Sequence, residues 1–209
     1  MIDEAEHNRQ IYSKIAKQWA DKNHAPDYWR PEFEKFQTFL PKGKVIDIGC
    51  GTGKDAGFFV DHGYGYLGID YSEAMLDEAR KRAPGVDFRH MDMFHLAFPS
   101  SSFDGFWAAA SLLHISKEKL PEVLVGIKKI IKPGGIGFVS VKEGSGEKVV
   151  EGEMEGDSRF FSFWQLPEME QILADNGFKV LDSARVTKTG KDKREKVWLT
   201  IWLTNIIKV

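Results

Sequence analysis

The sequence of 209 residues contains one cysteine, Cys50, and has a formal net charge of only -2 at pH 7. One cysteine cannot form an internal disulfide, and it excludes a zinc site built from several cysteines. The small net charge gives no electrostatic reason to expect nucleic acid or an anionic membrane as the main partner. The basic run from Lys188 to Lys196 also contains Asp192 and Glu195, so we expect it to be solvated surface.

Long apolar runs are absent as well. The longest nearly apolar segment, from Phe106 to Ile115, is far shorter than the ~20 residues that a membrane helix needs. The first residues are acidic and lack the basic and then apolar pattern of a signal peptide. We therefore expect a cytoplasmic protein without a membrane partner. With 42% hydrophobic and 29% charged residues the composition is that of an ordinary globular protein, which we expect to be a monomer or a homodimer.

The first 40 residues have the pattern of helices. Apolar and aromatic residues recur at helical spacing from Ile11 to Leu40, and Pro26 and Pro31 divide this stretch into about two helices. No strand pattern precedes residue 44. The sequence therefore predicts a single domain, in which a helical cap over residues 1–40 precedes an α/β core over residues 41–209.

Short apolar strands alternate with helices in the core. The first predicted strands cover residues 44–48, 66–70, 86–91, 103–108 and 135–141. Helices between them imply right-handed crossovers, and these produce a doubly wound, mainly parallel sheet. The last two strands, 178–181 and 197–202, are separated only by the polar stretch 187–196. Because a parallel pair needs a longer crossover, they form an antiparallel C-terminal hairpin, which completes a seven-stranded sheet.

A glycine-rich loop follows the first of these strands. Gly49, Gly51 and Gly53 let the backbone turn tightly and approach a ligand, at the strand end where doubly wound sheets bind ligands. Asp70 ends the next strand, 21 positions after Gly49. A carboxylate at that place accepts hydrogen bonds from both hydroxyls of a ribose, which favours an adenosine-containing cofactor.

The loop taken alone is compatible with several ligands. Gly51-x-Gly53-x-x-Ala56 has the spacing of a nicotinamide dinucleotide fingerprint, although the third position counted from Gly49 is Lys54. A tight turn without any ligand is a further interpretation. A phosphate-binding P-loop is excluded, because an aspartate follows Lys54 and no glycine stands five residues before Gly53.

Several segments match, in order and spacing, the motifs of one known family. They are Val45–Gly53, Gly68–Ser72, Met91–Met93, Phe103–Phe106, Leu112–Ile115 and Ile131–Gly135. Together, over roughly residues 40–182, they resemble the class I S-adenosylmethionine-dependent methyltransferases. The resemblance implies a Rossmann-like fold, S-adenosyl-L-methionine as the cofactor and S-adenosyl-L-homocysteine as its product.

The resemblance also implies which residues surround the methionine and ribose portions of that cofactor. Asp47 would anchor the loop and the amino end of the cofactor, while Gly49, Gly51 and Gly53 pass beneath the methionine portion. Asp70 would bind the ribose hydroxyls. A carboxylate inside an otherwise apolar strand needs partners, and capping of the loop amides by Asp47 is a structural interpretation that is compatible with the first role.

Around the adenine and the ammonium group the resemblance implies four more contacts. Tyr71 would pack on the adenine, Asp92 would accept from its amino group, and Met93 would supply a backbone amide or an apolar wall. Ala108 would offer its carbonyl to the ammonium group. For Asp92 a solvated loop aspartate is the alternative interpretation.

The methyl acceptor has its own candidate residues. Transfer from a sulfonium is an in-line displacement, and a base is needed only if the acceptor must lose a proton. His114 is the candidate base because its ordinary pKa is near neutral, and a helix-start or wall residue is the alternative. Aromatic residues lie in the N-terminal cap and after the Gly/Glu-rich, flexible stretch 143–156, the places where the family builds its lid. From these we predict Tyr12 and Arg159 as substrate contacts.

Features that are absent around these motifs restrict the chemical class of the methyl acceptor. Residues 108–111 are Ala-Ala-Ala-Ser, where methylases of DNA bases or glutamine amides carry Asn/Asp-Pro-Pro-aromatic. No acidic cluster indicates a magnesium-bound catechol site, and His90 and His95 lack further clustered ligands, so no metal is expected. We therefore predict transfer to a small molecule. A nicotinamide-dependent oxidoreductase and a non-catalytic S-adenosylmethionine-binding protein are the alternatives.

Overall fold

The computed structural model describes residues 3–23, 28–152, 154–189 and 195–206. Within these residues the helices are α1 (Glu4–Lys22), α2 (Arg30–Phe39), α3 (Ala56–Asp61), α4 (Glu73–Arg82), a short 3-10 helix (Leu112–His114), α5 (Leu120–Ile130) and α6 (Leu166–Asp175). The strands are β1 (Lys44–Ile48), β2 (Gly65–Asp70), β3 (Asp87–His90), β4 (Phe103–Ala109), β5 (Ile131–Lys142), β6 (Glu147–Glu151), β7 (Ser158–Ser162), β8 (Phe178–Thr189) and β9 (Glu195–Asn205). No helix of the described chain is long and apolar enough to cross a membrane.

Seven strands form one sheet in the order β3-β2-β1-β4-β5-β9-β8. The first five pair in parallel, whereas β9 runs antiparallel to both of its neighbours. The predicted doubly wound sheet with an antiparallel C-terminal hairpin is therefore confirmed. Strand β1 lies in the middle, where Asp47 is level with Gly68 of β2 and Trp107 of β4. This register brings the loop after β1 to the centre of one sheet edge.

Helices cover both faces of the sheet because each carries an apolar stripe. On α5 the buried residues recur at three- and four-residue spacing, and they are Leu120, Val123, Leu124, Ile127 and Ile130. Burying each of these side chains contributes about 1.5–3 kcal/mol relative to leaving it in water. At the start of α4 the Ser72 hydroxyl accepts from the Met75 amide and caps the helix.

The two N-terminal helices have different positions. Helix α2 is part of the core, since Phe33 and Phe36 are fully buried and Phe36 packs edge-on against Trp107. Helix α1 lies across the carboxyl ends of the strands. Its Asn8 side chain both donates to and accepts from the backbone of Phe160 in β7, at 3.0 and 2.8 Å. This pair of bonds fastens α1 to a strand about 150 residues away.

The structure corrects two expectations for the surface of the protein. The stretch 143–156, expected to be flexible, contains β6, which pairs with β7 in a separate two-stranded sheet. Charged residues on the exposed side of β6 hide its strand pattern in the sequence. Lys188, expected to be solvated, has a side chain that is only 12% exposed and donates to Glu32 and to the carbonyl of Tyr28. Residues 190–194 of the same basic run lie outside the described residues.

Candidate active site

A cavity of about 1060 Å³, a volume that includes open solvent at its mouth, lies beneath α1 at the carboxyl ends of β1, β2 and β4. Most of the predicted site residues line it, namely Asp47, Gly49, Gly51, Asp70, Tyr71, Asp92, Met93, Tyr12 and His114. Gly53, Ala108 and Arg159 do not. Ala108 is buried inside β4, one residue before the wall begins at Ala109. The topology thus brings nine separately predicted residues to a single cavity.

The glycine loop is shaped by backbone conformation and close packing. Gly49 has φ of 75°, and a Cβ there would lie 2.5 Å from the Cβ of Ser111. Gly53 has φ of 66°, and its Cβ would meet the ring of Phe88 at 2.8 Å. Gly49 therefore lets the cavity wall approach the loop, whereas Gly53 lets the loop pack on β3. This explains why Gly53 does not face the cavity.

Asp70 connects the loop to the start of α4. Its two carboxylate oxygens accept from the amides of Gly51, at 2.9 Å, and Ser72, at 2.8 Å. Burial raises the pKa of Asp70, and the two amide bonds act in the opposite direction. Each carboxylate oxygen can accept a second hydrogen bond. Asp70 can thus position the loop and still accept from a ligand hydroxyl.

Asp47 is almost fully buried beneath the loop. It accepts from the Tyr66 hydroxyl at 2.7 Å, while the amides of Gly49 and Cys50 donate to the carbonyl of Ile69. The interpretation in which Asp47 caps the loop amides is therefore wrong, because the neighbouring strand supplies that acceptor. Burial, followed by the charge of Asp55, raises the pKa of Asp47 well above its ordinary value.

The predicted adenine contacts lie together at the other side of the loop. Asp92 is partly buried, accepts from the Phe94 amide at 3.0 Å and lies 3.2 Å from Nδ1 of His95. Tyr71 stacks on His90, with ring centroids 5.8 Å apart and planes 12° from parallel. Among the described residues no group of three or more His, Cys, Asp or Glu side chains could hold a metal ion.

The predicted acceptor residues form one partly buried chain of hydrogen bonds. Nδ1 of His114 lies 2.8 Å from the carbonyl of Phe160 and must donate to it, so Nε2 accepts from the Tyr12 hydroxyl at 2.8 Å. Arg159 donates to the same hydroxyl at 2.8 Å and forms a buried ion pair with Asp157. Arg159 therefore stands behind Tyr12 rather than on the cavity wall.

Electrostatics hold His114 in its neutral form. Burial, followed by the nearby positive charge of Arg159, lowers the pKa of His114 to about 3. Burial also raises the pKa of Tyr12, so its hydroxyl keeps its proton. Since both ring nitrogens of His114 are already engaged, the imidazole supports the position of Tyr12 and is a weak base at neutral pH.

Among the residues of the cavity wall that sequence reasoning missed are Asn8, Lys54, Asp55 and Ser111. Asn8 sits in an amphipathic helix, where a polar residue ordinarily faces water. Asp55 had one signal that could have been used, because it is a charged residue immediately before the apolar run Ala56–Val60. Nothing in the sequence pattern marks Ser111, whose position depends on the turn after β4.

Similarity to known proteins agrees with this geometry. A family model described as a methyltransferase domain matches residues 45–135, which include the glycine loop, Asp70 and Asp92. A demethylmenaquinone methyltransferase of Symbiobacterium thermophilum is 28% identical over 142 residues, which are 61% of this chain and 55% of that protein. The tRNA (carboxymethyluridine(34)-5-O)-methyltransferase of Mus musculus is 32% identical over 66% of this chain and 20% of its own length.

The chain thus spans about half the length of the bacterial relative and a fifth of the mouse one. Among solved structures, the 1,6-didemethyltoxoflavin-N1-methyltransferase of Burkholderia thailandensis, with bound 1,6-didemethyltoxoflavin and S-adenosylhomocysteine, shares the fold. It has a TM-score of 0.74 and 21% identity, over 95% of this chain and 87% of that one. The matched methyltransferase domain covers less than half of the chain, and the solved structure shares its fold, so the chain is similar to methyltransferases over the region that contains the glycine loop, Asp70 and Asp92.

Proposed function

We propose that this protein transfers a methyl group from S-adenosyl-L-methionine to a small-molecule acceptor. The observation that carries the proposal is the composition of the cavity wall. One side consists of the glycine loop and the carboxylates of Asp70 and Asp92, and the other of Tyr12, Trp19 and further side chains under α1. A donor site and an acceptor site that share one cavity are what a direct transfer between two molecules requires.

The described residues fit the cofactor that the family name implies. Asp70 has free acceptor capacity for ribose hydroxyls, and Asp92 and Met93 line the predicted adenine site. Near β1 the wall has buried polar atoms without hydrogen-bond partners among the described residues, on Asp55 and Ser111. When bound, S-adenosyl-L-methionine supplies an electrophilic methyl group on a sulfonium. The tasks left to the chain are alignment of the acceptor and exclusion of water.

The acceptor side of the cavity supports a small molecule. The cavity wall contains apolar side chains besides Tyr12, among them Ala5, Trp19 and Ile115. Such a wall suits a largely apolar molecule that carries few polar groups. The bacterial relatives named above are a demethylmenaquinone methyltransferase and a didemethyltoxoflavin N1-methyltransferase. The mouse relative is named for tRNA, so tRNA belongs in the acceptor panel.

His114 is proposed to act through Tyr12. A base must have a free lone pair, and the lone pair of Nε2 is occupied by the Tyr12 hydroxyl. A proton from the acceptor would therefore reach His114 only by way of Tyr12. The low pKa of His114 favours acceptors that need no strong base. The same observation favours a second candidate, a protein that binds S-adenosylmethionine without transferring its methyl group.

The first experiment is calorimetric titration with S-adenosylhomocysteine, S-adenosylmethionine and NAD. We expect the first two to bind and NAD not to bind, and binding of NAD alone would refute the proposal in favour of an oxidoreductase. The second is a labelled-methyl screen over pools of small molecules, with tRNA as a separate arm. Transfer to a small-molecule pool supports the proposal. Persistent inactivity with intact binding would select the non-catalytic candidate.

A further inference from the structure

Two buried carboxylates line the part of the cavity next to β1 and β4, and in each of them one oxygen accepts a hydrogen bond from a described residue while the other does not. Asp47 accepts from the Tyr66 hydroxyl. Asp55 accepts from Nε1 of Trp107 with Oδ2 at 3.1 Å, but its Oδ1 has no hydrogen-bond donor among the described residues. Asp55 is 5% exposed, so water does not surround that oxygen. A buried carboxylate oxygen without a donor is suited to a cationic group of a ligand.

A cationic side chain accompanies Asp55 at the same wall. Nζ of Lys54 lies 3.2 Å from Oδ1 of Asp55, an ion-pair distance without the geometry of a hydrogen bond. The same ammonium lies 5.3 and 5.5 Å from the ring centroids of Tyr28 and Trp29, which hold it beside the cavity. The wall therefore presents a negative and a positive group as neighbours, which complements a zwitterion.

A third polar atom at this wall also lacks a partner. Oγ of Ser111 is buried and has no hydrogen bond to the described residues. The turn after β4 fixes the position of Ser111. Ala110 has φ of 57°, an uncommon conformation for alanine, and its amide donates to Oγ of Ser140 at 2.9 Å. This turn brings Ser111 against Gly49 of the loop.

We propose that Asp55, Lys54 and Ser111 recognise the α-amino acid end of the bound cofactor. Asp55 accepts from its ammonium, Lys54 pairs with its carboxylate, and Ser111 supplies one more hydrogen bond. The family resemblance gives the amino end to Asp47, which lines the same cavity and accepts from the Tyr66 hydroxyl with Oδ2. This assignment rests on the proposed function, because it names how this cavity would select its cofactor.

The test compares two ligands that differ only at the proposed contact. S-adenosylhomocysteine carries the amino acid end, whereas 5′-methylthioadenosine keeps the adenosine and sulfur and lacks that end. We expect Asp55→Asn to weaken binding of S-adenosylhomocysteine about tenfold or more, because a charge-assisted bond is lost. Binding of 5′-methylthioadenosine should stay within about twofold of the unaltered protein. Isothermal calorimetry measures both affinities without any need for turnover.

The matched control is Asp61→Asn, which removes the same charge from the exposed end of α3, outside the cavity wall. It should change neither affinity. Equal losses for both ligands in Asp55→Asn, or no loss for either, would overturn the assignment. If Asp55→Asn does not fold, Lys54→Gln and Ser111→Ala carry the same comparison, and both should weaken S-adenosylhomocysteine selectively.

The unaltered protein separates this inference from the proposed function. If it binds S-adenosylhomocysteine at least about tenfold more tightly than 5′-methylthioadenosine, the amino acid end is recognised and the variants decide which residues do so. Equal affinities would overturn the inference and leave the proposed function standing. If neither ligand binds, the proposed function itself fails.

Discussion

The two sides of the cavity are built in different ways. The side that contains the glycine loop comes from consecutive strand ends, and Asp70 joins the loop to α4 through two backbone amides. The side under α1 comes from segments far apart in the chain, since Tyr12 meets His114 across 102 positions and Arg159 across 147. The first side depends on backbone geometry, and the second on a chain of side chains. Substitutions on the side of the glycine loop should therefore affect cofactor binding. Substitutions on the side under α1 should affect methyl transfer to the acceptor.

The largest expected effect tests the backbone geometry of the loop. Gly49→Ala should abolish measurable binding of S-adenosylhomocysteine, because its Cβ would lie 2.5 Å from Ser111 in a left-handed conformation. The strain costs about 1–3 kcal/mol before the clash is counted. Gly63→Ala is the control, since Gly63 has φ of 76° and nothing within 4 Å of an added Cβ. Calorimetry should find normal binding in that control, and normal binding in Gly49→Ala would contradict the model of a close-packed loop.

A smaller effect is expected from Asp70→Ala. Loss of its two amide bonds and of the proposed ribose contact should weaken S-adenosylhomocysteine by about 1–3 kcal/mol. Asp87→Ala removes an exposed carboxylate from β3 and should leave the affinity unchanged. Both affinities are measured by calorimetric titration. An unchanged affinity in Asp70→Ala would show that ligand binding by the glycine loop does not depend on the two hydrogen bonds that Asp70 accepts from backbone amides.

Tyr12→Phe should affect the side of the cavity under α1 and leave cofactor binding on the loop side unchanged. Without the hydroxyl, the buried groups of His114 and Arg159 lose a common partner, which should cost about 1–3 kcal/mol of folding stability. Chemical denaturation measures the loss, and Tyr71→Phe on the loop side serves as a control expected to be near neutral. Affinity for S-adenosylhomocysteine should stay unchanged in Tyr12→Phe while transfer to an acceptor falls. A matching loss of cofactor affinity would mean that the two sides are coupled.

The smallest expected effect concerns the pH dependence of folding stability. The pKa of His114 is about 3 in the folded protein and about 6.5 when unfolded, so the unfolded chain binds the proton more tightly. The stability that the neutral imidazole contributes is complete above pH 6.5 and falls as the pH is lowered toward 3. Between pH 7 and pH 5.5 the loss should be about 1 kcal/mol.

Comparison with His114→Gln isolates the contribution of His114 to the pH dependence of folding stability. The raised pKa values of Asp47 and Asp70 act in the opposite direction, but they are common to both proteins and cancel in the difference. The stability difference between the unaltered protein and His114→Gln should therefore shrink as the medium is acidified, as measured by urea unfolding at a series of pH values. A difference that does not change with pH would show that His114 titrates normally.

The fold and the loop side of the cavity were predictable because their determinants are local. Alternating apolar strands and helices specify the parallel sheet, and the missing crossover before β9 specifies the antiparallel hairpin. A loop at the end of β1 and an aspartate at the end of β2 meet in any such sheet, because their strands are neighbours. The strand β6 escaped prediction because its charged, exposed pattern, Glu147–Glu151, contains no alternation of buried side chains.

By itself the sequence determined the alternation of strands and helices along the chain, the glycine loop, and the carboxylates in or just after β1, β2 and β3, since short-range patterns encode all of these. Only the tertiary structure decided how the other side is made. It joined Tyr12, His114 and Arg159 by hydrogen bonds, placed Arg159 behind Tyr12, and left Asp55 and Ser111 each with an oxygen that has no hydrogen-bond partner among the described residues. The physical reason is that hydrogen-bond partners and burial depend on which distant segments pack together, and the local pattern does not contain that information.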